Sequence, residues 1–180
     1  MSIEREGQET LNIQTRGPKE GDLAQLSAIL EPWVRDRETG EPLPEEVNSI
    51  LEAVRADISG NSDVRYVVAE GRNKVIGVMG LKPISEAMRQ YALTANPAEI
   101  VNAFVDPSQR GGKGVGSTLI AAVEAAARES GYTELLLNSG PRYKDTAWGF
   151  YTKIYGKPVA VIKDMYGMGG DAPVWRKSFA

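Results

Sequence analysis

The residues best suited to chemistry stand together near the middle of the chain. Arg110 leads into Gly111-Gly112-Lys113-Gly114-Val115-Gly116, between an apolar run ending at Val105 and a long amphipathic segment opening at Val115. Glycine has no Cβ, so a ligand can approach its N–H closely and its backbone reaches positive φ. Where such a run opens a helix, free N–H groups and the helix dipole together make an anion site. Lys113 and Arg110 add positive charge near phosphate oxygens. The unit is a phosphate cradle. Spacing separates it from two nucleotide-binding loops. A P-loop places Ser or Thr after Gly-Lys, but Gly114 follows Gly112-Lys113, and Pro107 occupies the position of its first glycine. A dinucleotide fingerprint counted from Gly112 and Gly114 would put its last glycine on Ser117. The competing reading is a glycine-rich turn that binds nothing.

Two absences narrow the chemistry further. The chain has no cysteine and no histidine, which excludes thiolate nucleophiles, disulfides, Cys-ligated zinc and any Ser-His-Asp triad. No metal site is expected. Proton transfer falls to carboxylates, tyrosines, lysines, backbone groups or water. A formal charge of -3 offers no basic field for a nucleic-acid partner. The opening MSIEREGQET is polar where a signal peptide needs an apolar run, and no stretch approaches about 20 apolar residues. The expectation is a cytoplasmic protein without a membrane partner.

The elements that must position the loop follow from periodicity. At 180 residues, with 42% hydrophobic and 25% charged content, the chain suits one globular domain over 9–180 behind a flexible polar N-terminus at 1–8. Thr10–Thr15 alternates as a strand, and Asp22–Val34 and Glu45–Ile58 carry apolar residues at helical spacing. Val64–Glu70 and Lys74–Lys82 form a hairpin across Gly71-Arg72-Asn73. Pro83–Pro97 is a connection. Ile100–Val105 is a strand, Val115–Ser130 a helix ended by Gly131, and Leu135–Leu137 a strand. Asp145 is placed to cap a helix over Ala147–Tyr155. Val159–Met165 and Val174–Phe179 close the chain as two strands around a loop at Gly167–Pro173. The fold class is mixed α/β.

Two motifs in this order resemble the GNAT superfamily of N-acetyltransferases. Val105-Asp106-Pro107 and Gly114-Val115-Gly116 match its strand-to-helix signature, with a one-residue insertion that leaves Arg110 just ahead of the run. Ala147-Trp148-Gly149-Phe150-Tyr151-Thr152-Lys153 matches its second signature, with Lys144 where the family carries asparagine. The resemblance implies a bent mixed sheet of about seven strands, helices on both faces, and acetyl-CoA as cofactor. It implies that Arg110, Gly111, Gly112, Lys113, Gly114, Val115 and Gly116 bind the pyrophosphate. Ala103, Phe104 and Val105 would then hold the pantetheine arm. Tyr151 would donate a proton to the departing CoA thiolate, and the alternative is a tyrosine packed in the core. Asn138, near the end of a strand, stands as a replacement for the asparagine missing at 144.

Direct transfer to an amine needs a base. Glu99 matches the place where histone-acetylating members carry a glutamate, with an exposed strand-end glutamate as the competing reading and Glu70 and a water chain as alternative bases. The acceptor would be a small-molecule or peptide primary amine seated between the first two helices and the loops Pro83–Pro97 and Gly167–Pro173. Glu31, Trp33, Asp36 and Glu38 are candidates to face a cation, the competing reading being charged residues that are simply solvated. A non-catalytic acyl-CoA-binding sensor or a drug-sequestering module on the same fold is the alternative function. Many family members are homodimers, though no stripe in this sequence marks a dimer face.

Overall fold

The computed structural model describes residues 11–179. Residues 1–8 and Thr10, assigned above to a flexible terminus and a first strand, lie outside the described residues. Seven strands form one mixed sheet in the order β1-β2-β3-β4-β5-β7-β6. They are β1 (Ile13–Arg16), β2 (Arg65–Gly71), β3 (Lys74–Pro83), β4 (Pro97–Val105), β5 (Glu134–Asn138), β6 (Ala160–Ile162) and β7 (Ala172–Ser178). Neighbours run antiparallel except β4 and β5, which pair in parallel. Helices α1 (Leu23–Leu30) and α2 (Pro44–Ile58) cover one face. Short α3 (Glu86–Arg89) caps the β5–β7 part of that face, and α4 (Val115–Glu129) and α5 (Gly149–Tyr155) cover the other.

Local chemistry explains the boundaries. Pro44 opens α2 at its first position, where a missing N–H costs nothing. Gly131, at φ +79, ends α4: its N–H donates to Arg128 and that of Tyr132 to Ala127, which satisfies the last carbonyls. The β2–β3 turn is Arg72-Asn73, with both residues at positive φ as a twisted two-residue hairpin requires.

The structure departs from periodicity at several ends. α1 stops at Leu30 instead of Val34, because the following turn swings Trp33 toward β4. The strand expected at Ile100 begins at Pro97, so Glu99 is strand interior. The first strand starts at Ile13, and the sixth is confined to Ala160–Ile162. Lys144–Trp148 is a π-helical turn leading into α5, and Asp145 makes no cap hydrogen bond there.

The main core lies between the sheet and α4–α5. Leu119, Val123 and Ala127 of α4 meet Ala98 and Ile100 of β4, Leu135 and Leu137 of β5, and Trp175 of β7. A second cluster on the opposite face joins Leu23, Leu26 and Ile29 of α1 to Val54 of α2 and Val68, Val75 and Val78 of the hairpin.

Candidate active site

The sheet opens where β4 and β5 part. Their parallel pairing covers Pro97–Glu99 against Glu134–Leu136 and no further. Beyond it β4 follows β3, while β5 follows β7. Glu99 is therefore the last residue of β4 paired with β5 and forms the floor of the split. Past it, the backbone groups of Ala103–Val105 on the β5 side have no strand partner.

A bulge sets which side chains line this split. Gly80 opposes Val101, yet Val78 opposes Phe104, so β4 carries one extra residue. The extra residue reaches a left-handed conformation at Asn102 (φ +50), which asparagine tolerates better than most residues. Its Nδ2 donates to the Tyr66 hydroxyl at 2.8 Å, fixing the kink. As a result Ala98, Ile100, Ala103 and Val105 all pack toward α4, while Phe104 packs toward α1 and α2.

Glu99 is 5% exposed, and only one of its oxygens is engaged. Oε2 accepts from the Ser85 N–H at 3.1 Å and lies 3.9 Å from the Lys82 ammonium. Oε1 accepts no hydrogen bond among the described residues and is not sealed from solvent. Glu134, one strand away, shows the contrast. Its Oε2 accepts from the Leu93 and Thr94 N–H groups, and its Oε1 faces the Ser178 hydroxyl and Arg176. Glu134 is a tie between segments, whereas Glu99 has an oxygen to spare.

Tyr151 lies on the other face, in α5. Its ring is enclosed between Phe150 and Trp175, each at a centroid distance of 5.4 Å. Burial pushes its pKa up to about 12, because the anion would be desolvated. Its hydroxyl has no hydrogen-bond partner among the described residues and is not among the sealed polar atoms. The two candidate proton-transfer groups thus stand on opposite faces of the sheet, with the split between them.

The glycine run lies at the wide end of the split. Gly111, Gly112 and Gly114 hold φ of +76, +85 and +82, a backbone that only glycine adopts freely. Among the described residues, no acceptor takes the N–H groups of Gly111 through Gly116. Lys113 donates to the Ser108 carbonyl at 2.8 Å, and Arg110 lies 4.7 Å over the Trp33 ring. The Trp33 indole N–H in turn donates to the Val105 carbonyl at 2.9 Å. Gly116 presses on Phe150: a Cβ there would lie 2.9 Å from the ring. The loop, α4 and the Tyr151 helix are therefore one packed unit.

Several expected residues stand elsewhere. Asn138 ends β5 on the Glu99 face, where its Oδ1 accepts from the Tyr166 hydroxyl at 2.7 Å, so it is not brought to the glycine run. Glu70 is held by Arg16 at 2.7 Å, three strands from β5. Glu31 accepts from Ser27, and Asp36 closes its own turn, its carboxyl held below the usual range by the Thr39 and Glu38 N–H groups. Tyr143 and Tyr166 beside the split escaped sequence reading, because they sit in irregular segments without periodicity. Among the described residues no cluster of acidic side chains is arranged to hold a metal, and no helix is long and apolar enough to cross a membrane.

Comparison with known proteins agrees with this geometry. Residues 27–156 match the family described as "Acetyltransferase (GNAT) family". An IAA acetyltransferase of Azospirillum brasilense is 30% identical over 143 residues, covering 79% of this chain and 82% of that protein. An N-acetyltransferase from Staphylococcus aureus Mu50 superposes with a TM-score of 0.68 at 18% identity, over 94% of this chain and 99% of that one. An aminoglycoside 6'-N-acetyltransferase complexed with coenzyme A gives 0.66 at 19% identity, over 93% and 97%. A split sheet with a glycine cradle at its wide end, matched over most of the chain, leaves one assignment: this protein belongs to the GNAT family of acetyltransferases.

Proposed function

We propose that the protein moves an acetyl group from acetyl-CoA directly to a primary amine through the β4–β5 split. The observation that carries this reading is the pair of groups across the split, an unengaged carboxylate oxygen on Glu99 and an enclosed phenol on Tyr151. Acetyl-CoA supplies the acetyl group as an activated thioester. The chain's residues fit it: free N–H groups of Gly111–Gly116, with Arg110 and Lys113, suit a pyrophosphate. The unpaired backbone edge of Ala103–Val105 suits an extended amide-bearing arm. Val105 offers less than its neighbours, since Trp33 already donates to its carbonyl.

Glu99 Oε1 takes the proton that the amine must shed as it attacks. Tyr151 keeps its proton at neutral pH, as its raised pKa requires, and can deliver it to the leaving sulfur. No residue of the chain is acylated, in keeping with the lack of cysteine. Calorimetry with acetyl-CoA, desulfo-CoA and ATP tests the cradle, and free-thiol release with an amine panel tests the transfer. Binding of both CoA forms but not ATP, followed by amine-dependent thiol release, is the expected outcome. Tight CoA binding without release from any amine would instead mark an acyl-CoA sensor.

A further inference from the structure

We propose that the acceptor carries its amine on an aromatic body, and that Tyr166 seats that body over the split. The inference rests on the acetyl-transfer reading and names the substrate class of the same site.

Three aromatic rings from separate segments gather on the face where Glu99 lies. Phe104 comes from β4, Tyr143 from the turn after β5, and Tyr166 from the loop between β6 and β7. Phe104 and Tyr143 meet edge to face at 5.9 Å and 81°. Tyr166 is held by its hydroxyl on Asn138 and by its ring against Gly140, where a Cβ would lie 3.1 Å from Cδ2. It nevertheless remains 53% exposed. A ring fixed at its tip and along one side, in a residue half exposed, is ordered in advance for a stacking partner, which spares the entropy of holding it. The pKa of Tyr166 is raised by burial and then by Glu99 and Tyr143, as expected for groups sharing one neighbourhood.

Charge narrows the class further. Glu46 is taken by a two-pronged pair with Arg142, at 2.9 and 3.3 Å. Lys82 stands beside Glu99 Oε2. At the floor of the split Glu99 Oε1 is left for one ammonium, and the rings are left for the rest of the molecule.

The test compares phenethylamine, hexylamine, spermidine, kanamycin and a short peptide with a free N-terminus. It uses full-length protein saturated with acetyl-CoA, and calorimetry of each amine on protein without cofactor. Phenethylamine is expected to exceed hexylamine in kcat/KM and in affinity by about tenfold, the size of one good aromatic contact. Tyr166→Ala should erase that ratio through KM while leaving the KM for acetyl-CoA unchanged. Tyr166→Phe, which keeps the ring, should preserve most of it. Equal or better turnover of hexylamine, spermidine, kanamycin or the peptide overturns the inference, as does a ratio that survives Tyr166→Ala. Failure of every amine on protein that binds acetyl-CoA overturns the transfer reading itself, and this inference with it.

Discussion

At the scale of single residues, Tyr151 and Glu99 make different demands on pH. Tyr151 has its folded pKa raised to about 12 by burial, so it contributes stability fully below the ordinary tyrosine value. That contribution is lost as pH rises through about 12. Tyr151→Phe removes the proton but keeps the ring between Phe150 and Trp175, so kcat should fall by about 100-fold with the melting temperature nearly unchanged. Its alkaline unfolding should begin later than that of the parent. Glu99→Gln should also lower kcat by about 100-fold near neutral pH. The deficit should shrink as pH climbs toward the amine's own pKa, because the acceptor then arrives already deprotonated. Pre-steady-state rates across a pH series check both outcomes. A uniform deficit at every pH would remove Glu99 from the base role.

At the scale of elements, the glycine loop and α5 behave as one piece because Gly116 touches Phe150. Gly116→Ala places a methyl group against that ring and should cost about 1–3 kcal/mol in stability. Acetyl-CoA affinity and kcat should drop together, since Tyr151 follows Phe150 in the same turn. Thermal melts beside calorimetric titration check the coupling. The glycine run and α5 were legible in the sequence because their signals are local: glycine spacing, helix periodicity and an aromatic pair. The hairpin turn was legible for the same reason. The bulge at Asn102 was not, since nothing in Val101-Asn102-Ala103 marks an extra residue until β3 is laid beside it. Burial of Glu99 was hidden by the same non-local pairing, because the strand's start at Pro97 depends on β5. Asp145 was read as a cap from its residue type, but the π-helical turn moves it away from the helix start.

At the scale of the whole molecule, a charged cluster ties the edge of the sheet to the first helix. Arg16 of β1 donates to Asp22 at 2.6 Å and to Glu70 at 2.7 Å, joining the sheet edge to the start of α1. The Arg16 guanidinium holds the Asp22 carboxyl below the usual carboxylate range, and the carboxylate is almost fully buried. A depressed folded pKa contributes stability that is present above the ordinary carboxylate range and lost as pH falls toward the folded value. Asp22→Asn should therefore cost about 2–3 kcal/mol at pH 7 in urea unfolding, with the difference from the parent fading in acid. Trp33 is the other tie, bridging the end of α1 to Val105 while lying under Arg110. An indole emits according to the field around it, and the chain's other two tryptophans, Trp148 and Trp175, pack with α5 and the main core. An anion that draws Arg110 off the Trp33 ring is expected to shift that tryptophan's emission, and loss of the shift in Trp33→Phe checks the assignment. On that outcome the protein would carry its own optical gauge of loop occupancy, readable in stopped flow without a label.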